Sequence, residues 1–426
     1  MGARTRFLLR AMIAVLVMGH LPAQAQVSVT VDPSKTVGVS KMRIGITPTH
    51  EDLDTLKGRN DRAVERAKKH LVNGNINLFN VHIMGWGGGN PCPKLGRYEF
   101  ASLDRRMAFY RSMKGEIVIT FCTAPGWMKP SGQDWKMNDK VARKHWQAFA
   151  ELCVRIAKRY PDVKHFQIWN ELKGWWKNGI KEYTNFHNTV YVALKKARPD
   201  ARIAGPYMNG LPELSQNNGI MSKSTHKAYD SFLSGYKGAE IINYDGWLAG
   251  YDPKRTKQWT LRQLMANTDC FANHTRELRK KVKARTGKDL PIWVSEYYCA
   301  LEDHSDDPAF IAANYASSYY HSLLAGTEVI LQWGTITFGS LFTSIKTEAG
   351  GEPLPKYHVI RAFNTWFKPG TKLVRAESSD ATKLEVLASP QKVMLINKTG
   401  KTLNLALNGK RHRLEAYQVS VLDTPK

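Results

Sequence analysis

Phe166-Gln167-Ile168-Trp169-Asn170-Glu171-Leu172-Lys173-Gly174-Trp175-Trp176 begins as a short apolar run of strand type, stops on two polar side chains, and passes through a glycine into paired tryptophans. A carboxylate buried inside a parallel strand is costly unless it is paired, so Glu171 is expected just past the strand's end, at a mouth that a ligand can reach. Tryptophan faces pack against the C–H face of a pyranose while polar groups read its hydroxyls, and the aromatic neighbours of Glu171 fit such a mouth. A second stretch has the same design. Pro291-Ile292-Trp293-Val294-Ser295-Glu296-Tyr297 is another apolar strand that closes on a glutamate.

Around these two stretches, strands and helices alternate. Arg43–Thr47, Asn77–His82 and Glu116–Phe121 read as the first three strands, Phe166–Glu171 as the fourth, and Arg202–Gly205 and Ile241–Asp245 as the fifth and sixth. The strand ending at Glu296 is then the seventh, and Val329–Trp333 the eighth. Helical spacing fills the intervals: Trp146, Phe149, Leu152, Ile156 and Tyr160 before Pro161, and Tyr183, Phe186, Val190, Leu194 and Ala197 before Pro199. Leu261–Arg285 is largely of helical type. This α/β rhythm predicts a (β/α)8 TIM barrel over residues 42–367.

After Pro369-Gly370 the rhythm changes to short β-type runs, Leu384–Leu387, Lys392–Ile396 and Val419–Leu422, with turn signals at Asn397–Gly400 and Asn408-Gly409. Residues 368–426 are expected to form a small C-terminal β-sandwich. The alternating run Val27–Val31, within 26–41, is expected to join it as an N-terminal strand. The Gly-rich loop Gly85–Gly89 lacks the spacing of a dinucleotide fingerprint and reads as a flexible loop.

Composition bounds the rest. Residues 1–25 carry Arg4, Arg6 and Arg10 ahead of the apolar run Ala11–Met18 and a small-x-small site at Ala23-Gln24-Ala25. They read as a secretory signal peptide, predicting a secreted or periplasmic protein. No other stretch is apolar for long enough to span a bilayer. A formal net charge of +25 leaves two readings, a solvated basic face such as Arg279–Arg285, or attraction to an anionic glycan or cell surface. Nucleic acid is not expected as a partner, for lack of a recognition motif. Cys92, Cys122, Cys153, Cys270 and Cys299 include no CxxC pair, which leaves no metal spacing but room for one disulfide.

Trp169-Asn170-Glu171, followed by Trp175-Trp176, resembles the acid/base motif of clan A glycoside hydrolases, in which an Asn-Glu pair closes the fourth strand of a TIM barrel. The stretch ending at Glu296 resembles the clan's nucleophile strand, the seventh. The tryptophan pair and the β-type tail are most similar to glycoside hydrolase family 39. Pro125-Gly126-Trp127-Met128 resembles a turn that many clan members carry after the third strand.

The resemblance implies an exported glycosidase without metal or organic cofactor, monomeric, acting on a polysaccharide or oligosaccharide, with Glu171 as general acid/base and Glu296 as nucleophile. Asn170 would bind the hydroxyl next to the anomeric carbon. Tyr297 and Trp333 are candidates for the sugar platform, and His82, Trp127, Trp175 and Trp176 for flanking subsites; Trp127 reads equally as a plug beneath its loop. Carboxyls about 5 Å apart would give retention, and roughly 6.5–9.5 Å inversion. One departure stands out. Clan members commonly place a His or Tyr after the sixth strand against the nucleophile, whereas Asp245–Tyr251 has glycine there, leaving Tyr244 or Tyr251 as substitutes. The basic charge favours an anionic, sulfated or uronic-acid-containing glycan; xylan or a β-glucan, or silent glycan binding, are the alternatives.

Overall fold

The computed structural model describes residues 27–176, 179–208, 218–248, 259–299, 305–336 and 340–425. The expected signal peptide and Tyr251 lie outside the described residues. The barrel strands are β2 (Arg43–Thr47), β3 (Leu78–His82), β4 (Glu116–Phe121), β5 (His165–Ile168), β6 (Arg202–Ala204), β7 (Ile242–Trp247), β8 (Ile292–Tyr298) and β9 (Val329–Trp333), preceded by β1 (Val27–Val39). They form one parallel sheet in the order β6-β5-β4-β3-β2-β9-β8-β7. Parallel bridges Ala204 to Ile241 and Met208 to Tyr244 close its two ends into the predicted barrel.

The helices are α1 (Asp61–Asn73), α2 (Ala101–Arg111), α3 (Trp146–Arg159), α4 (Ile180–Ala197), α5 (Lys223–Gly235), α6 (Leu261–Ala266), α7 (Cys270–Thr286), α8 (Pro308–Leu324) and α9 (Pro355–Trp366). Local chemistry sets their ends: Asn60 caps α1 by accepting from the amides of Arg62 and Ala63, and Thr260 with Gln263 forms a capping box on α6. The segment Leu261–Arg285 is largely helical and is divided into two helices between Ala266 and Cys270.

The barrel interior is layered. At the bottom, Leu78, Val118, Ala204, Ile241, Trp293, Val329 and Leu331 form an apolar plug. Above it lies a polar layer. Thr120 Oγ1 donates to Asn80 Oδ1 at 2.6 Å, Gln167 Nε2 to Thr120 Oγ1 at 2.9 Å, and Asn243 Nδ2 to Gln167 Oε1 at 2.7 Å and Ser295 Oγ at 3.0 Å. Every member of this ring is buried and satisfied by a neighbour, so it forms a rigid floor for whatever sits above. The strands also approach closely: a Cβ on Gly45 would lie 2.4 Å from the Leu78 carbonyl oxygen.

The tail strands β10 (Lys372–Ser378), β11 (Leu384–Ala388), β12 (Lys392–Asn397), β13 (Leu403–Leu407), β14 (Lys410–Leu414) and β15 (Val419–Asp423) form a second, mixed sheet. The strand β1 lies in this sheet, antiparallel to β10 and parallel to β13. Alternation in β1 buries Val27, Val29 and Val31 against Leu384, Leu395 and Leu405. The module packs on α8, where Phe310 meets Tyr417 edge to face at 5.0 Å. All five cysteines are buried free thiols, so the disulfide that the sequence left open does not form.

Candidate active site

Beyond β5 the chain leaves the extended conformation within one residue. Trp169, Glu171 and Leu172 adopt left-handed φ values of 68°, 50° and 50°. Such a run of non-glycine residues is costly and persists only where packing over-determines it. Here the Trp169 indole donates to the Lys173 carbonyl at 2.9 Å, and Trp169 and Trp175 lock against Trp146, Phe149 and Phe186. Trp175 is therefore a fully buried anchor of the turn, which corrects its reading as a subsite residue. Gly174 at φ 82° completes the coil, since a Cβ there would lie 2.5 Å from the Lys140 amide.

The coil aims Glu171 across the mouth at Glu296. An oxygen from each, and one from Asp245, all lie within 4.8 Å of one another. The two glutamates keep only 6% and 8% of their surface exposed. A bulge explains the alignment: between β7 and β8 the register shifts after Tyr244, so that Asp245 pairs directly with Glu296. Lys173 places its ammonium on the Glu171 carboxylate. Tyr207, just beyond β6, donates its hydroxyl to Glu296 Oε1 at 2.9 Å, while its amide is held by Asn243 Oδ1 of the polar floor at 3.1 Å.

These contacts push the two acids apart. Burial, and next the negative charge of Glu171, raise Glu296 to about 8, against the opposing pull of Lys173 and Tyr207. Burial also acts to raise Glu171, but hydrogen bonding to Asp245 and the Lys173 ammonium outweigh it and hold Glu171 below the ordinary range. The electrostatics of the pair thus favour the ionised form of Glu171 over that of Glu296. Three carboxylate oxygens so close together have the reach of a hard-cation site, but Lys173 already supplies a positive charge among them.

His82 is fully buried, and burial lowers it to about 3, so the ring is neutral. Asn170 Nδ2 donates to Glu171 Oε2 at 3.2 Å, which leaves its Oδ1 to accept from His82 Nε2 at 3.2 Å. Asn170 has no exposed surface: it orients Glu171 and does not offer an open amide to a sugar hydroxyl. Trp333, half-buried at the end of β9, and Trp176, 45% exposed, remain at the surface. Trp127 donates its indole N–H to the Cys92 carbonyl at 2.8 Å and meets His145 edge to face, pinning loops together in the manner of a plug.

Two further expectations are corrected. Tyr297 points away from the mouth, because the bulged strand turns it outward into Phe271, Tyr315 and Tyr319, where it is fully buried. Tyr244 also faces outward, with its hydroxyl 3.0 Å from Thr275 Oγ1 and its ring on His274. The tyrosine that touches Glu296 comes from the fifth barrel strand, not the sixth. Sequence reasoning also missed Lys173, Asp245 and Trp86. Trp86 stacks on His82 with centroids 3.9 Å apart and carries the Lys173 ammonium 5.9 Å from its ring centroid.

No family model matches the chain, and no curated protein matches it in sequence. Solved structures do. SrfJ from Salmonella typhimurium is 13% identical, with a TM-score of 0.63 over 95% of this chain and 92% of that one. A GH30 endoxylanase from Clostridium papyrosolvens C71 is 12% identical (TM-score 0.59, covering 94% of this chain and 100% of that one). A GH39 β-xylosidase from Caulobacter crescentus is 14% identical (TM-score 0.59, covering 89% and 83%). What the chain shares with these structures is the fold, a barrel with a side sheet. Within it, Glu171 follows the fourth barrel strand and Glu296 lies in the seventh. Among the described residues no helix is long and apolar enough to cross a membrane.

Proposed function

We propose that the protein is an exported, monomeric, retaining glycoside hydrolase that cleaves a polysaccharide or oligosaccharide carrying anionic groups. The observation that carries this reading is the approach of Glu171 and Glu296 to within 4.8 Å. At about 5 Å one carboxylate can attack the anomeric carbon directly, whereas an intervening water needs roughly 6.5–9.5 Å. Glu296 would form the glycosyl bond as Glu171 protonates the departing oxygen. Glu171 would then take a proton from the water that releases the sugar. Tyr207 positions Glu296, and Asn170 with His82 positions Glu171.

Lys173 sits on the Glu171 carboxylate and favours its anion, whereas this chemistry needs Glu171 to carry the proton. Drawing Lys173 away removes the charge that favours the Glu171 anion, so that Glu171 can carry the proton it must donate, while Tyr207 still favours ionised Glu296. A carboxylate or sulfate on the bound sugar does this by pairing with the ammonium, which couples recognition of an anionic unit to activation. The net charge of +25 acts in the same sense, concentrating anionic chains at the surface.

A neutral substrate is the second reading, favoured by neighbours named as a GH30 endoxylanase and an endo-β1,6-glucanase. Digesting charged and neutral polysaccharides at low and high salt separates the two. Turnover of an anionic chain that falls as salt shortens the Debye length is the expected result. Equal turnover of both classes at every ionic strength would favour the neutral reading. Glu171→Gln is expected to lower cleavage of poor leaving groups by ~10²–10⁴-fold. Unchanged cleavage would remove Glu171 from the mechanism.

A further inference from the structure

A cavity of about 650 Å3 opens at the same end of the barrel, between the segment that follows β2 and the first turns of α2. This is within the usual size range of ligand pockets. Lys57, Arg59, Arg105 and Arg106 line it, against the carboxylates of Glu51 and Asp54. Asp54 is already neutralised: Arg106 Nε donates to it at 2.8 Å and the Tyr110 hydroxyl at 2.8 Å. Arg59 is oriented through a 2.8 Å bond to the Asp54 carbonyl oxygen. Among the described residues, no ion pair involves Lys57, Arg59 or Arg105. The cavity therefore holds three uncompensated cations and one uncompensated carboxylate, Glu51.

A second observation is independent of that balance. Arg106 is only 4% exposed, yet its Nη2 finds no acceptor in the protein. A buried guanidinium nitrogen left without an acceptor is destabilising, and a bound oxyanion would satisfy it. Arg106 also connects the cavity to the mouth. Its Nη1 donates to the His82 carbonyl at 3.3 Å, and His82 Nε2 lies 4.0 Å from Glu296 Oε1. Arg106 and His82 thus link the two spaces.

We propose that this cavity is a second subsite that binds the carboxylate or sulfate of a sugar unit belonging to the chain whose neighbouring unit enters the mouth. It rests on the glycosidase reading for the identity of that chain, but its binding chemistry is separate from Glu171 and Glu296. The guanidinium groups of Arg59 and Arg105 would grip the oxyanion, with Lys57 adding charge at the opening. The subsite thus selects chains with repeated anionic units over those with a single charge at the cleavage point.

The test measures binding by calorimetry in a Glu171→Gln background, which removes turnover, with galacturonate oligosaccharides, heparin-derived sulfated oligosaccharides, neutral xylo-oligosaccharides and inorganic sulfate as probes. Lys57 and Arg105 are exposed, so Lys57→Ala with Arg105→Ala leaves the core intact. Lys280→Ala with Lys283→Ala on α7 removes the same charge from another face. The expected result is a loss of affinity of about tenfold or more for one anionic oligosaccharide class in the first pair alone. In an otherwise wild-type chain, that pair leaves turnover of a small aryl glycoside unchanged. An equal loss in both pairs, or no loss, overturns the subsite, as does a response to inorganic sulfate only. Failure of the aryl glycoside to turn over in the wild-type chain would strike the mouth's reading instead, and leave the binding result to be judged alone.

Discussion

Two places in this protein bury a glutamate beside a lysine, and they are built to opposite ends. At the junction of barrel and side sheet, Glu385 meets Lys398 Nζ at 2.6 Å and His321 Nε2 at 2.8 Å, and these partners hold it below the ordinary carboxylate range despite burial. At the mouth, Glu171, Asp245 and Glu296 gather around Lys173, and Glu296 is pushed up to about 8. The junction balances its charge and stays fixed. The mouth carries an excess of acid over its lysine, which favours protonation of one of its carboxyls. Burial of a carboxylate does not mark function by itself; the imbalance between acids and their partners does.

The largest difference is expected in turnover. Glu296→Gln should abolish glycan cleavage, by ~10³-fold or more, whereas Glu385→Gln should leave kcat intact at a temperature where the chain is folded. Comparable losses in both would erase the distinction between the two sites. Stability is expected to separate them in the other direction. Lys398→Met leaves the buried Glu385 charge to His321 alone and is expected to cost about 3 kcal/mol, read as a lower denaturant midpoint with kcat unchanged.

How much of this was legible in the sequence follows the same division. One apolar run that ends on a carboxylate has ordinary structural explanations, a loop residue or a helix N-cap; two such runs within an eight-strand rhythm have fewer. The eight-strand rhythm and the meeting of Glu171 with Glu296 at one mouth were readable for that reason. Tyr207 was not, because the residue that contacts Glu296 is set by which strands are neighbours in the closed barrel and not by spacing along the chain. Tyr297 and Trp175 were misread because the period of two fails where β8 bulges and where β5 turns left-handed. Asp245 and Lys173 lay within quoted stretches, but their meaning depends on charges brought together only by folding. The turn at Asn408-Gly409, where both residues take positive φ, was legible, but the strands β13 and β14 that it joins were not among the runs read from the sequence.

A smaller effect sharpens the mouth's own asymmetry. Tyr207→Phe removes a donor that favours ionised Glu296, so kcat is expected to fall by about tenfold and the ascending limb of its pH profile to move upward. An unmoved limb with reduced kcat would make Tyr207 a packing residue.

The smallest effect is thermodynamic. Glu296 ionises near its ordinary value when unfolded and near 8 when folded, so folding takes up a proton between those values and stability falls as pH rises through that window. Glu296→Gln removes this slope. Its Tm is expected to exceed that of the wild type by about 2–5 °C at pH 8, and by less at pH 5. Glu385 provides the opposite sign: its lowered value contributes stability above the unfolded value that is lost as pH falls through the folded one.

The most direct test is to trap the bond that defines the proposed chemistry. With Glu171→Ala, release of the glycosyl group loses its general base, so an activated aryl glycoside of the cleaved sugar can load the nucleophile faster than water unloads it. Mass spectrometry of peptides from acid-quenched protein is predicted to find one added glycosyl group on the peptide containing Glu296. An unmodified Glu296 peptide during continuing turnover, or product released with inverted configuration, would contradict the account.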